Sequence, residues 1–524
     1  MKKLRAIDLY SGIGGWSLGL KLNDIEVIHS YEWWNQAVDT ANKNLGKKET
    51  IHNIREMNFS NLKGKKIDIV VGSPPCTQFS YSNRGGSGDL EDGIIDLYQF
   101  FKCIEVVKPK FWAMENVPRV ANVLLTESQK GGQLFKFKKI IDEGFVEVFN
   151  MREYGVPQKR KRCIASNVNL NLLLSYRDLT KEVTLGDVLD SLSKNKIKDP
   201  NFKISKTKSK LTEIEKEESL NSEEERMNRD MKRNHPVYNR MSFPEDENQP
   251  ARTITATCTR VSRESLVVRD KRKFRRLSVR ERASIQGFPI NYEFHGSSHS
   301  NKLKMIGNAI PPKFTYFIAA AMKGKDSENL VLPEKVSVVL EKSLPIKTSP
   351  DTQSKKYPKT RSFKFAMPDL NFKSGTRFEL NNSEEKFKCF FYYGDSKRIR
   401  ELKLDKRLLN KLEAFISNID ESLLRKLRKE LKVIKKYDQK ELQRAWSIKP
   451  SIGIHPFEVV DLLNSIGNSI DELIADIEEE KLLESMKTVF DKKDQVGLKK
   501  VSEHYRKILC GLLVCSAFNT TNFS

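Results

Sequence analysis

The chain opens with an apolar segment that runs into a glycine-rich turn, since residues 4–16 read LRAIDLYSGIGGW. The apolar residues before the turn predict a buried strand, and Leu18 and Leu20 after it predict a helix. A strand, a glycine turn and a helix in this order open a nucleotide-binding βαβ unit, in which glycines let the backbone approach a ligand closely. Because glycine-rich turns occur in many folds, this segment alone is compatible with NAD, with a methyl donor or with no nucleotide.

A second strand, from Val27 to Tyr31, ends at Glu32. In dinucleotide-binding proteins an acidic residue about 20 residues after the glycine turn binds the ribose hydroxyls. Trp33 follows and offers a ring that can stack on an adenine. Strands and helices continue to alternate to about residue 190, which predicts a doubly wound, mostly parallel sheet.

The third informative segment holds a cysteine directly after two prolines, in GSPPCTQFS at residues 72–80. It follows the apolar run from Ile67 to Val71, so Cys76 is expected in a loop at the end of a strand. Proline fixes φ, and a stiff loop holds an attacking atom close to its target. Taken alone, Cys76 fits either a nucleophile or a small buried apolar residue.

Four later segments complete a series in a fixed order. They are MENV (residues 114–117), YGVPQKRKR (154–162), IQGFP (285–289) and MIGNAIPP (305–312). Together with the glycine turn and the Cys76 loop, this series resembles the cytosine-C5 methyltransferase family, which transfers a methyl group from S-adenosylmethionine to cytosine in DNA. The resemblance covers roughly residues 1–322.

The resemblance implies four catalytic residues. Carbon 5 of cytosine is a poor nucleophile, so Cys76 would first attack the neighbouring carbon 6. Glu115 would meet N3 and the amino group of the ring, although a carboxylate at a strand end also fits an ordinary salt bridge. Arg160 and Arg162 would supply positive charge near the thiol, and Arg162 would touch the flipped cytosine.

The resemblance also implies a cofactor pocket and a DNA-binding side. The S-adenosylmethionine pocket would be lined by Tyr10, Gly12, Gly14, Glu32, Trp33, Asn53, Ile54, Pro75 and Asn308. Asn53 stands where the family usually has an acid. The substrate side would include Gln158, Ser80, Arg84, Tyr238 and Arg240, with Arg260, Arg263 and Arg275 on phosphates. Because a base inside a duplex is out of reach of a thiol, the cytosine must rotate out, and the glycine-rich loop 82–89 would close over the DNA.

Composition favours a polyanionic partner. The chain has 93 Lys and Arg against 69 Asp and Glu, a formal charge of +24. No apolar run approaches the roughly 20 residues that span a membrane, and we expect a cytoplasmic protein of a prokaryotic cell or phage. The seven cysteines form no Cys-x-x-Cys pair, so neither a zinc site nor a disulfide framework is expected, and we predict no metal.

The predicted architecture is an α/β, Rossmann-like S-adenosylmethionine-dependent core with a small recognition insertion and a helical C-terminal extension. We assign residues 1–190 to the catalytic domain, 191–248 to a target-recognition insertion, 249–322 to the rest of that region and the closing part of the catalytic domain, 323–361 to a linker, and 362–524 to a helical accessory domain. The polar run 206–233 fits a solvated helix or a disordered insertion as well as it fits recognition. Leucines and isoleucines from Leu412 to Ile434 recur at helical spacing and predict amphipathic helices.

The sequence thus predicts a DNA cytosine-C5 methyltransferase that acts on double-stranded DNA, either with a cognate restriction endonuclease or alone. One alternative is a tRNA methyltransferase, because a tRNA-modifying branch of the family also has Leu-Tyr-Ser-Gly at the turn, as residues 9–12 do here. Another is a non-enzymatic DNA-binding protein derived from the family. The presence of Cys76, Glu115 and Arg162 argues against the latter.

Overall fold

A computed structural model describes residues 3–76, 79, 90–233, 241–256, 258–353, 364–371, 376–381, 387–395, 398–436, 456–489 and 504–523. These residues divide into two compact units. Among the described residues, the first unit ends at Gln353 and the second begins at Lys364.

The first unit is built on a six-stranded sheet. Its strands are β1 (Arg5–Leu9), β2 (Glu26–Tyr31), β3 (Ile69–Gly72), β4 (Phe111–Asn116), β5 (Phe145–Asn150) and β7 (Lys161–Ser166), in the order β2-β1-β3-β4-β7-β5. β1 pairs in parallel with β2 and β3, and β3 with β4, whereas β7 is antiparallel to both β4 and β5. This mostly parallel sheet confirms the predicted α/β class.

Alternate residues of the strands face opposite sides of the sheet, and both sides are buried. On one side Ile7 and Val70 pack with residues of α3 (Leu90–Val107) and α4 (Arg119–Glu127). On the other side Ala6, Ile69 and Val71 pack with residues of three helices, α1 (Gly15–Lys21), α6 (Leu170–Ser175) and α11 (Pro312–Met322). Burial on both faces explains why the strands read as continuous apolar runs.

Helices on both sides complete this unit. Besides α3 and α4 they are α1 (Gly15–Lys21), α2 (Asn35–Leu45), α5 (Lys138–Asp142), α6 (Leu170–Ser175), α10 (His299–Asn308) and α11 (Pro312–Met322). α1 packs directly against α11, since a Cβ on Gly19 would lie 2.1 Å from Oγ1 of Thr315. Oγ1 of Thr315 also donates a hydrogen bond of 2.8 Å to the Gly15 carbonyl. The first helix of the chain is therefore covered by one some 300 residues later.

The region between α6 and α10 holds short elements. In chain order they are α7 (Leu185–Ser193), β8 (Lys196–Lys198), β9 (Ser205–Thr207), α8 (Ser222–Arg233), β10 (Ala251–Arg252), β11 (Val267–Asp270), β12 (Lys273–Arg276) and α9 (Val279–Ile285). The short strand β6 (Gln158–Lys159) comes before this region. β10 pairs in parallel with β6, and β11 pairs antiparallel with β12. The polar run forms helix α8, whose Glu224 and Asn228 are buried and bound to Arg260. Hydrogen bonds from buried polar side chains thus hold this helix in place, because it has few apolar residues.

Residues 324–353, expected to be part of a linker, lie along the first unit. The Glu341 amide donates to the Asn44 carbonyl at 3.1 Å, and the Val336 carbonyl accepts from Lys203 at 2.9 Å. The Asp351 carboxylate forms an ion pair with buried Arg276. This segment therefore belongs to the first unit, and the boundary lies after it rather than at residue 323.

This boundary predicts the outcome of truncation. A chain that ends at residue 353 should fold, and one that ends at residue 340 should unfold at a temperature lower by about 5 °C, because it loses the acceptors that Asp351 and Ile346 offer to buried Arg276 and Lys302. Thermal unfolding by circular dichroism measures the difference. Equal midpoints would show that residues 341–353 contribute nothing to stability.

The second unit combines a sheet with helices. Its antiparallel strands β13 (Lys364–Asn371), β14 (Arg377–Asn381), β15 (Lys388–Asp395) and β16 (Arg398–Leu402) pair in chain order. Its helices are α12 (Lys406–Ile419), α13 (Glu421–Leu431), α14 (Pro456–Leu473), α15 (Glu479–Val489) and α16 (Tyr505–Phe523). The amide of buried Asn519 in α16 donates to the carbonyls of Cys389 and Leu404, which joins this helix to the inner strand β15 and to the segment after β16.

The helices of this unit were predicted and the sheet was not. α12 and α13 bury Leu412, Ile416, Leu424 and Leu427, which confirms the helical spacing. The accessory region is nevertheless not purely helical, because β13, β14, β15 and β16 form a four-stranded sheet. No helix in the described part of the chain is long and apolar enough to cross a membrane.

Candidate active site

The loops that follow β1 and β3 meet at one edge of the sheet. β2 and β3 lie on opposite sides of β1, so the chain reverses its direction of travel across the sheet between β1 and β3. In open α/β sheets ligands bind in the crevice at the carboxyl ends of strands beside such a reversal. The glycine turn follows β1 and the Cys76 loop follows β3, so both reach this crevice.

The Cys76 loop is held by hydrogen bonds from three elements. The Ser73 amide donates to the Leu9 carbonyl at 3.2 Å, and Nε1 of Trp16 donates to the Ser73 hydroxyl at 3.0 Å. Nδ2 of Asn116 donates to the Pro74 carbonyl at 3.0 Å. The backbone before Cys76 is therefore fixed to β1, α1 and β4, which is the rigidity that the two prolines predicted.

Glu115 and Arg162 form an ion pair beside this loop. Nε of Arg162 lies 3.0 Å from Oε1 of Glu115, and the two side chains are only 14% and 7% exposed. Glu115 is near the carboxyl end of β4, and Arg162 is near the start of β7. Since β7 is antiparallel to β4, its first residues lie at the edge where β4 ends. A sheet that is otherwise parallel thus brings this arginine to the crevice.

The Cys76 thiol lies in the field of these groups. Burial raises the pKa of Cys76, the positive charges of Arg162 and Arg160 oppose that rise, and the negative charge of Glu115 adds to it. Because the thiolate is the nucleophile, the two arginines favour the reactive form. The structure brings Cys76, Glu115, Arg160 and Arg162 to one place, as the sequence predicted.

Arg160 and Gln158 are buried more deeply than Arg162. The Arg160 guanidinium donates to the carbonyls of Ile254, Gly307 and Ala309 at 3.0–3.2 Å, and burial lowers its pKa to about 9. Gln158 was expected to contact DNA. Its amide instead donates to the Ile285 carbonyl at 3.1 Å and accepts from the Ile254 amide at 3.0 Å, and the side chain is buried. In this structure Gln158 joins β6 to neighbouring segments rather than facing a base.

Comparison of the chain with known proteins gives the family that the sequence motifs resemble. A family model described as C-5 cytosine-specific DNA methylase matches residues 4–324. The chain belongs to this family. It is 28% identical to the Type II methyltransferase M.FnuDI of Fusobacterium nucleatum over 354 residues, which are 64% of this chain and 97% of that protein. It is also 28% identical to the Type II methyltransferase M.MthTI of Methanothermobacter thermautotrophicus over 344 residues, 62% of this chain and 97% of that protein.

A solved structure is also similar to this chain. The Entamoeba histolytica methyltransferase EhMeth is 14% identical, with a TM-score of 0.45, and the match covers 62% of this chain and 99% of that one. Residues from 354 onwards lie outside the match to the family model. The second unit is therefore an addition to the DNA methylase core.

The glycine turn of this DNA methylase forms one wall of the crevice. Gly12 and Gly14 have φ of +51° and +84°, a region that favours glycine, and no atom lies within 4 Å of a Cβ built on Gly12. The Glu32 carboxylate accepts from the amides of Gly12, Trp33 and Trp34 at 2.8–2.9 Å. Burial raises the pKa of Glu32, and these three hydrogen bonds oppose the rise. A carboxylate held in this way offers acceptor atoms to ribose hydroxyls.

The other predicted pocket residues surround this turn. The Trp33 side chain is 69% exposed and can stack on an adenine. Asn53 begins a short turn, where its side chain accepts from the Arg55 amide at 3.2 Å and donates to Glu56 at 2.6 Å. Ile54 is buried, and Pro75 is half-buried directly before Cys76. The Glu32 carboxylate and the exposed Trp33 ring fit the ribose hydroxyls and the adenine of S-adenosylmethionine.

Two further predicted pocket residues are Tyr10, directly after β1, and Asn308. The Tyr10 hydroxyl donates to Oδ1 of Asp96 at 3.1 Å, and Asp96 also accepts from Arg55 at 2.6 Å. Asn308 is exposed at the end of α10. The segment that follows it approaches the turn closely, because a Cβ on Gly15 would lie 2.2 Å from the Ile310 carbonyl oxygen.

Several residues of this site were missed or misassigned from sequence. Ser73, Asn116 and Asp96 hold the loop and the turn. The signal for Asn116 and Asp96 was a polar residue at a buried position of an apolar segment, whereas Ser73 is half-buried. Two predicted phosphate contacts are wrong, because Arg260 and Arg275 are buried in ion pairs with Glu224 and Glu281. Ser80, Arg84, Tyr238 and Arg240 lie outside the described residues, as does all of loop 82–89, and their roles stay predictions.

One cluster away from the crevice has the side chains of a metal site. Ligand atoms of Glu217, His299 and Asp351 lie within 4.8 Å of one another. The Arg276 guanidinium, however, binds both carboxylates, and Nε2 of His299 lies 3.1 Å from Glu217. A guanidinium already neutralises these carboxylates, so the cluster is accounted for as an ion-pair network.

Proposed function

We propose that this DNA methylase transfers a methyl group from S-adenosylmethionine to carbon 5 of cytosine within a specific sequence of double-stranded DNA, through a covalent bond to Cys76. The observation that carries the proposal is the convergence of Cys76, Glu115 and Arg162 at the carboxyl edge of the sheet, beside the glycine turn. It acts either as the modification partner of a restriction endonuclease or alone.

Each residue has one step in this mechanism. The target cytosine rotates out of the duplex, and the Cys76 thiolate forms a bond to carbon 6. Glu115, after taking up a proton from solvent, donates it to N3 and returns to the carboxylate, so the electron pair that the thiolate pushes into the ring makes carbon 5 nucleophilic. Arg162 holds the Glu115 carboxylate and the thiolate in place. When carbon 5 takes the methyl group, S-adenosylhomocysteine leaves. Water then removes the proton from carbon 5, the bond from Cys76 to carbon 6 breaks to release the thiolate, and N3 returns its proton to Glu115, which restores the ring.

The cofactor side is assigned to residues around the turn. S-adenosylmethionine supplies an electrophilic methyl group on a sulfonium. Glu32 would accept from its ribose hydroxyls, Trp33 would stack on its adenine, and Tyr10, Gly12, Gly14, Asn53, Ile54, Pro75 and Asn308 would complete the pocket. Gln158 and Arg160 act as positioning residues, since both bind protein groups.

The choice of nucleic acid is the first test. With duplex DNA and tRNA at equal concentration and labelled S-adenosylmethionine, we expect the label in DNA. The family match and the Type II relatives support this order. The DNA and the tRNA are separated after the reaction, and scintillation counting measures the label in each. Label in the tRNA and none in the DNA would make the tRNA methyltransferase the correct assignment.

A further inference from the structure

The second unit carries a basic surface on α13 that has no role in methyl transfer. Residues 421–436 contain seven Lys and Arg and two Glu. α13 turns Leu424, Leu427 and Leu431 inward, where they join the core of the unit. The opposite side exposes Arg425, Lys426 and Lys429, and Lys432, the residue that caps the end of the helix, is exposed as well; we call these four residues the α13 basic face.

The charges of this face are not neutralised within the described residues of the unit. Arg428, at its border, pairs with Glu413 at 2.7 Å. Glu421 accepts a hydrogen bond from the Ser417 hydroxyl, and no described carboxylate forms an ion pair with the four residues of the face. Cations in the last turn of a helix are favourable in any protein. That effect does not explain Arg425 and Lys426, which lie in the middle of the helix.

The spacing of the face fits a phosphate backbone. Arg425, Lys429 and Lys432 follow one another at helical intervals of four and three residues, so they lie in one row. At 1.5 Å per residue the row is about 10 Å long, which equals about three phosphate intervals of 3.4 Å per strand measured along the axis of a duplex. Neutralising several phosphates releases counterions, which is the main source of sequence-independent affinity.

We propose that the α13 basic face is a second, sequence-independent binding surface for duplex DNA, separate from the catalytic crevice. The proposal rests on the proposed function, in which duplex DNA is the substrate of the first unit. A second contact on the same polymer raises the effective concentration of DNA for the catalytic unit. It lowers the apparent Kd and KM for long duplexes and leaves the rate at saturating DNA unchanged.

The test uses the full chain and a triple variant, Arg425→Ala, Lys429→Ala and Lys432→Ala. The matched control, Lys63→Ala, Lys65→Ala and Lys110→Ala, removes three exposed charges near the amino-terminal ends of β3 and β4 in the first unit. Binding to a labelled 40-base-pair duplex is measured by anisotropy between 50 and 200 mM salt. Because each phosphate contact contributes about 0.9, we expect the slope of log Kobs against log salt to fall by about 2.7 in the triple variant. In the control it should change by less than about 0.5.

The affinity of the triple variant should fall at least about tenfold at 100 mM salt. Equal slopes for the triple variant and the control overturn the proposal. So does an unchanged DNA slope accompanied by lost binding to anionic phospholipid vesicles, which would assign the face to a membrane surface. Methyl transfer by the wild-type chain is measured separately on long unmethylated duplex DNA of mixed sequence, which contains the specific target sequence. The absence of transfer overturns the proposed function, whereas the slopes decide the role of the α13 basic face independently.

Discussion

Replacing Cys76 with serine should reduce methyl transfer to DNA by at least about 10⁴-fold, because a hydroxyl is a far weaker nucleophile than a thiolate at neutral pH. Binding of duplex DNA should change little, since the loop is held by Ser73, Trp16 and Asn116 rather than by the thiol. Single-turnover transfer from labelled S-adenosylmethionine measures the loss.

A duplex with 5-fluorocytosine at the target position tests the covalent bond directly. Fluorine on carbon 5 blocks the final proton loss, so wild-type protein should form an adduct that survives denaturing electrophoresis. Cys258→Ser is the matched control, because Cys258 is also half-buried and lies beside the guanidinium groups of Arg282 and Arg276. It should transfer within about threefold of wild type and form the adduct. Full activity of Cys76→Ser would refute the proposed nucleophile.

Replacing Arg162 with alanine should lower kcat/KM by about 10²–10³-fold, or about 3–4 kcal/mol, since it leaves the buried Glu115 carboxylate without its partner. The pH profile should move as well. Arg162 opposes the rise that burial causes in the pKa of Cys76, so its removal raises that pKa further. The thiolate then forms at higher pH, and the rising limb of activity should shift toward alkaline pH.

Arg177→Ala is the matched control for Arg162→Ala, because Arg177 forms a more exposed ion pair with Glu153 at 3.2 Å. Its activity and pH profile should equal those of wild type. Arg162→Lys should keep part of the shift in the pKa of Cys76 while losing the fixed fork of the guanidinium. An unchanged rising limb in Arg162→Ala would show that this charge does not act on the thiol.

The sequence predicted those features that depend on local pattern. Apolar runs buried on both faces marked the strands, and the order of short motifs marked Cys76, Glu115 and Arg162. Gln158 and Arg160 were harder to assign, because alternation along an extended segment does not reveal that β10 pairs with β6 and that both side chains bind backbone carbonyls. Their partners lie 94 to 149 residues away in sequence.

Charge patterns gave the least reliable predictions in this chain. Arg260 and Arg275 looked like surface phosphate contacts, but both are buried in ion pairs. The partner of Arg260, Glu224, lies 36 residues away in sequence, and Glu281 lies only 6 residues from Arg275 but in the helix that follows it. The sheet of the second unit was missed for a related reason. Strands such as β14 gain stability from cross-strand pairs, for instance Phe378 opposite Phe391, and those pairs are not local in sequence.

The packing of α1 against α11 has a consequence for biosynthesis. Thr315 and its neighbours leave the ribosome some 300 residues after Gly15 and Gly19, which at 5–20 residues per second is about 15–60 s later. During that interval the face of α1 that α11 covers, which includes Trp16 and Leu20, has no native partner. The nascent chain must carry an exposed apolar face for tens of seconds, so its yield should depend on chaperones and on translation speed well before any DNA is bound.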